Sequence, residues 1–370
     1  MRSRASLPDV GGAPVRRHLE AIAGAPRPAG SDAESAARAY CAGELRSLGF
    51  TVVDEPFDFS RFPGEWATPA VGAVACLTTV AAGALGLRGH PGAALAVLVG
   101  STAAAGAATA WLARRGVLDL PWMRASASNL VATRGAPRAW LVAHLDSKSQ
   151  PVPMLGRIAG IVGSAIAVVV LASLSVAGAY GADPRAAAWI VVTLVGVMAS
   201  LPVIASTVGT RSAGAVDDAS GVVTVLRAAA MLPREMAIGI ALTSAEELGM
   251  AGARAFAVRR GRGVALNVDG VDDRGTVLCM VHGRAGRARA AVLRAARAVA
   301  TVVRTGPAIP GVLTDGVALA NTGWDAVTLS RGTLATLSRI HRGADDLSAL
   351  RGDGIEDMAR LLAAAAREID

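Results

Sequence analysis

Four apolar runs without a single charge decide what this chain can fold into. They are Thr68 to Leu87, Gly92 to Ala113, Ile158 to Ala182 and Ala186 to Thr210. A helix rises about 1.5 Å per residue, so about twenty residues cover about 30 Å, the hydrocarbon thickness of a bilayer. Buried hairpins of a soluble core are the alternative, but the runs are long enough to span. Their Gly, Ala, Ser and Thr content also suits close packing in lipid. The runs come in pairs, turned by Arg88-Gly89-His90-Pro91 and by Asp183-Pro184-Arg185. Each pair is therefore expected to be a membrane hairpin, with Pro202 kinking the fourth span. At 52% hydrophobic and a mean hydropathy of +0.44, the whole chain is too apolar for an ordinary soluble domain.

The net charge of +8 comes almost wholly from arginine. No basic stretch is interleaved with aromatic stacking residues, so nucleic acid is excluded as a partner, and the bilayer is the partner the charges suggest. Arg61, Arg114, Arg115, Arg124, Lys148, Arg157 and Arg211 flank the outer ends of the runs, while only Arg88 and Arg185 sit at the hairpin tips. The positive-inside rule then puts the rest of the protein in the cytoplasm. Residues 1–11 hold two arginines and no apolar core long enough for a signal peptide. Cys41, Cys76 and Cys279 are too few and too scattered for a disulfide framework or a thiolate metal site.

Outside the runs the pattern is that of a soluble α/β domain. Val15 to Ile22 reads as a short helix. A second helix starts at Ser31, with Glu34 completing a capping box, and stops before Gly49. Strands are expected at Phe50 to Phe57, Asn129 to Thr133, Ala139 to Ala143, Met236 to Leu242, Val264 to Val268, Thr276 to Val281 and Ala326 to Leu329. Helices are expected at Val222 to Leu232, Ala251 to Arg259, Arg287 to Arg304 and within Asp345 to Glu368. The turn Arg134 to Pro137 predicts that the second and third strands run antiparallel. The domain is thus interrupted twice. Residues 1–60, 121–152 and 211–370 belong to it, and residues 61–120 and 153–210 are the hairpins.

The soluble parts carry acidic and histidine residues at strand ends or in glycine-rich turns. They are His144 in Ala-His-Leu-Asp-Ser, Asp217 in Gly-Ala-Val-Asp-Asp-Ala-Ser-Gly, the pair Glu246-Glu247 after the Met236 strand, Asp269 in Asn-Val-Asp-Gly, and His341. An isolated Glu-Glu at a strand end is ordinarily a solvated turn, and an isolated histidine is ordinarily a core residue. Together they form a set of carboxylates and imidazoles without cysteine, which suits zinc in a hydrolytic site. Two histidines and several carboxylates suffice for two ions sharing one carboxylate.

These motifs, in this order, resemble the co-catalytic di-zinc aminopeptidases, metallopeptidase family twenty-eight. Arg27-Pro28-Ala29-Gly30-Ser31, Asn129-Leu130-Val131-Ala132, Thr314-Asp315-Gly316 and Gly323-Trp324-Asp325-Ala326 extend the resemblance over most of the soluble chain. It implies a mixed-sheet α/β zinc exopeptidase domain, here with four inserted transmembrane helices, that binds two Zn2+ and acts on peptides. By resemblance, His144, Asp217 and Asp269 would hold one zinc. Asp217, Glu247 and His341 would hold the other, so that Asp217 bridges. Glu246 would be the general base, and Asp146 would sit behind His144 and fix its tautomer. Asp218 would be structural, and the bond Asp217-Asp218 would be cis. Removal of N-terminal residues is the expected activity. The alternatives are a single-zinc acyltransferase of the glutaminyl cyclase kind and a non-catalytic membrane protein that retains the fold. A transporter is disfavoured, because no run contains a charge. The sequence departs from the family at Ile340, where a tyrosine commonly precedes the last histidine. The hairpins are the other departure, and both are expected to leave from the sheet edge that carries the metal ligands.

Overall fold

The computed structural model describes residues 12–307 and 312–369. The reading of residues 1–11 therefore lies outside the described residues. In α1 (Gly12–Ile22) the residues Val15, Leu19 and Ile22 are buried, the spacing of one helical face. α2 (Asp32–Ser47) is capped by Ser31, whose hydroxyl accepts the Glu34 N–H at 3.2 Å. The expected box closes differently: the Glu34 carboxylate accepts the N–H of Gly30, at 2.7 Å, and not that of Ser31. Then follow β1 (Thr51–Ser60), α3 (Phe62–Leu87), α4 (Pro91–Trp111), the short α5 (Val117–Asp119), β2 (Arg124–Arg134) and β3 (Trp140–His144). After α6 (Met154–Ala179) and α7 (Ala186–Ile204), a wide helical turn at Ala215–Ala219 leads into α8 (Ser220–Met231). The remainder is β4 (Ile238–Thr243), α9 (Ala251–Arg260), β5 (Val264–Val271), β6 (Thr276–His282), α10 (Arg287–Ala298), β7 (Val303–Pro307), α11 (Asp315–Asn321), β8 (Asp325–Gly332), α12 (Leu334–Arg339) and α13 (Asp353–Arg367).

The chain divides into two compact units. One takes the segments up to Phe59, Ala125–Ser149 and everything from Thr210; the other takes Ser60–Arg124 and Gln150–Gly209. The first unit is a mixed α/β domain on an eight-stranded sheet in the order β1-β2-β4-β3-β5-β8-β6-β7. β4, β3, β5 and β8 are mutually parallel, and β2 and β6 run against them. Both faces are covered, as a parallel centre requires. On β3, Leu141 and Ala143 join the core under α1, α2, α8, α10 and α13, while Trp140 and Val142 join the core under α9 and α11. This is the two-residue alternation of a strand.

One expectation about this unit holds and one is corrected. β2 and β3 run in opposite directions as expected, without pairing with each other. β4 lies between them, with Leu242 opposite Leu130 on one side and Ala143 on the other. Every residue of β4 is buried, so it belongs in the doubly covered centre. The helix expected to reach Arg304 stops at Ala298, and Val303–Pro307 instead pairs with β6. The β-branched residues Val303 and Thr305 suit a strand. In the same unit the Ser126 hydroxyl donates to Asp58 at 2.6 Å and the Arg211 N–H to the Ser149 hydroxyl at 2.9 Å. Each pair of exit points is thus close together.

The second unit consists chiefly of α3, α4, α6 and α7. Each is long and apolar enough to cross a membrane, with mean hydropathies of 1.9, 1.6, 2.3 and 2.2. No more than 28% of any of these apolar windows is buried inside the protein, so the outward faces, including Leu77, Val169 and Met198, are exposed and apolar. Glycines bring the backbones close: a Cβ at Gly196 would meet Thr79 at 2.6 Å, and one at Gly160 would meet the Ala199 carbonyl at 2.7 Å. α7 ends at Ile204, short of the expected Thr210.

Candidate metal centre

Parallel neighbours put their carboxyl ends on one edge of a sheet, and β4, β3 and β5 do so here. His144 is the last residue of β3, level with Thr243 at the end of β4. Glu246 and Glu247 follow in the turn after β4, and Asp269 lies near the end of β5. Asp217 comes from the wide turn that opens α8, entered through Gly214 at φ 61°. The Asp217–Asp218 peptide bond is cis, as the resemblance implies. His341 follows α12. Ala245 and His341 adopt φ of 56° and 61°, a left-handed conformation that costs non-glycine residues about 1–2 kcal/mol. Such residues collect where the surroundings fix a functional geometry.

The fold brings all the expected ligands together. His144 Nε2 lies 3.2 Å from Asp217 Oδ1, and His341 Nε2 lies 2.9 Å from Asp217 Oδ2, so the two oxygens of one carboxylate face two histidines. Ligand-capable atoms of His144, Asp217 and Asp269 all fall within 4.8 Å of one another, and so do those of Asp217, Glu247 and His341. Glu246 Oε2 stands 3.9 Å from His144 Nε2. Glu247 Oε1 is buried without a hydrogen-bond partner, 3.4 Å from His341 Nε2. An orphaned carboxylate oxygen among imidazoles and carboxylates, with no thiol, fits zinc.

The electrostatics have the same character. Burial pushes Asp269 up to about 8, with the Asp217 carboxylate adding to the effect. Burial likewise raises Glu246 well above the carboxylate range, reinforced by Glu247 and Asp269. Asp217 goes the other way. Burial opposes its charge, but His144 and His341 outweigh burial and hold it well below the usual range. Carboxylates that raise one another's pKa in a buried cluster mark a place that lacks positive charge.

Residues behind the ligands join the loops. Behind His144, the Asp146 backbone carbonyl lies 3.0 Å from Nδ1 and the Asp146 carboxylate 3.5 Å from it. The carboxylate also accepts the backbone N–H groups of Glu246 and Glu247. Asp218 accepts the N–H groups of His144, Gly221 and Gly270. Asp345 accepts those of Val216 and Asp217. Arg27, fully buried, donates to the carbonyls of Leu145, Ala213 and Gly214, and so ties the His144 segment to the Asp217 turn. The sequence reading missed the roles of Arg27 and Asp345, and only the fold reveals their distant partners. Ile340, in place of the family's tyrosine, is half-buried and packs on the main core.

Residues 200–366 match the model of peptidase family M28. No curated protein matches the sequence. Among solved structures, the zinc aminopeptidase BSAP from Bacillus subtilis is similar at 13% identity and a TM-score of 0.56, over 98% of this chain and 96% of that one. The aminopeptidase from Aneurinibacillus sp. strain AM-1 aligns at 13% identity and 0.55, over 96% and 92%. The glutaminyl cyclase of Fimbriiglobus ruber aligns at 14% identity and 0.55, over 100% and 98%. At such identities the likeness is one of fold.

Proposed function

We propose, from the match of residues 200–366 to the model of peptidase family M28, that the chain is a membrane-anchored, zinc-dependent aminopeptidase whose hydrolase unit faces the cytoplasm. One observation carries the reading: the two oxygens of Asp217 serve two separate ligand groups, with Glu246 beside them. His144, Asp217 and Asp269 would hold one zinc, and Asp217, Glu247 and His341 the other. When bound, zinc supplies Lewis acidity and makes water acidic enough to ionise near neutral pH. Glu246 takes a proton from the attacking water. The water oxygen bonds to the scissile carbonyl carbon, the C–N bond breaks, and Glu246 returns the proton to the leaving amine. The carboxylates of Asp217, Glu246, Glu247 and Asp269 gather at the site. That favours a substrate with a cationic N-terminus over one offering a C-terminal carboxylate. The low burial of α3, α4, α6 and α7 supports membrane anchoring.

The test is a zinc titration of the purified protein in detergent, followed by assay of aminoacyl amides, their N-acetylated forms and peptides with N-terminal glutamine. Cleavage of the free amides alone, saturating at two equivalents of zinc, is expected. Cyclisation of the glutaminyl peptides at one equivalent would favour the acyltransferase reading. Inertness toward all three would favour a retained fold without catalysis.

A further inference from the structure

The chain has 37 basic residues, and Lys148 is the one that is lysine. It stands four residues after His144, and its Nζ lies 2.6 Å from Glu247 Oε2. The same nitrogen approaches the Glu247 backbone carbonyl at 3.5 Å. Glu247 therefore divides its carboxylate. Oε2 faces the ammonium, while Oε1 faces His341 and the Asp217 group.

An ammonium is a compact charge that can serve two acceptors from one atom. A guanidinium is a planar fork that matches both oxygens of a carboxylate at once. At this position a fork would take Oε1 as well as Oε2 and turn the carboxylate away from the ligand group. The lone lysine thus occupies the place where an arginine would compete with the metal for the same carboxylate.

We propose that Lys148 is a positioning residue that holds Glu247 by one oxygen, so that the other is presented to the ion shared with Asp217 and His341. This rests on the reading of Glu247 as a ligand. It goes beyond that reading by assigning the choice of lysine over arginine to the second ion's occupancy.

The experiment is a zinc titration of the full-length wild type, Lys148→Arg and Lys148→Met, with a parallel cobalt titration that follows the visible absorption of each equivalent. Loss of a group behind a ligand typically weakens metal binding roughly 10–100-fold, and that is expected for the second equivalent in Lys148→Met. Lys148→Arg should be worse, with the second equivalent and its cobalt spectrum lost and the first retained. The order wild type, Met, Arg cannot come from a requirement for positive charge, which would rank Arg above Met. Arg binding the second ion at least as well as Met overturns the proposal. If Lys148→Arg does not fold, Lys148→Gln replaces it. Its amide can donate to one oxygen and should bind the second ion more tightly than Met; equal affinities overturn the proposal. A wild type that binds fewer than two equivalents overturns the two-metal reading and this inference with it.

Discussion

The Asp146 carboxylate accepts the backbone N–H of Glu246 at 3.0 Å. Its second oxygen accepts the N–H of Glu247 at 3.1 Å. One side chain beyond the end of β3 therefore shapes the turn that follows β4, and with it the direction of both glutamates. In Asp146→Asn an amide NH2 would face one of these donors. Leaving a buried N–H unpaired costs about 1–3 kcal/mol. His144 keeps its partner, the Asp146 carbonyl. The variant should therefore unfold at lower urea and lose affinity for the second zinc before the first. Weakening of the first zinc alone would instead assign Asp146 to the histidine.

Glu246 should be separable from metal binding. In Glu246→Gln the ligand groups keep all their members, so two equivalents of zinc should remain. General-base catalysis typically contributes 10²–10⁴-fold, roughly the loss expected in kcat. Metal analysis and steady-state kinetics on the same preparation decide the matter, and a fully active variant would remove Glu246 from its role.

His282 predicts an acid-sensitive stability term away from the metals. Burial lowers its pKa from 6.5 to about 4, and its Nε2 pairs with the Thr328 hydroxyl at 2.8 Å. Between those values the unfolded chain takes up a proton that the folded chain refuses. This contribution is complete above pH 6.5 and is lost as the pH falls toward 4. Urea midpoints of wild type and His282→Asn should therefore diverge at pH 7.5 and draw together at pH 4.5. Parallel pH profiles would contradict this.

The orientation can be read by labelling. His90 is exposed between α3 and α4, and unlike Gly89 at φ 75° it imposes no need for glycine. With the hydrolase unit in the cytoplasm, His90→Cys in a cysteine-free background should react with an impermeant maleimide on intact cells. A cysteine at exposed Arg351 should react only after lysis. The reverse pattern would invert the topology.

The apolar runs, and the order of His144, Asp217, Glu246-Glu247, Asp269 and His341, are written locally. A membrane helix and a buried strand both announce themselves as uninterrupted apolar stretches, and a charge at the end of such a strand stands out. The helix reading over Val303 and Arg304 failed because the β-branched residues there, Val303 and Thr305, become a strand only by pairing with β6, a partner outside the local pattern. That β2 and β3 each pair with β4 and not with each other has the same cause. A turn determines that two strands reverse direction, but burial on both faces decides that β4 lies between them. The hydrogen bonds of Asp146, Asp345 and Arg27 span 100, 128 and 187 residues. Composition did contain one signal for the site, the solitary Lys148, but its partner is 99 residues away. Sequence alone determined most element types and the chemistry available, since both are set largely by neighbours along the chain. Tertiary structure decided which carboxylate oxygen faces which partner, because that depends on backbone groups brought together only when the sheet forms.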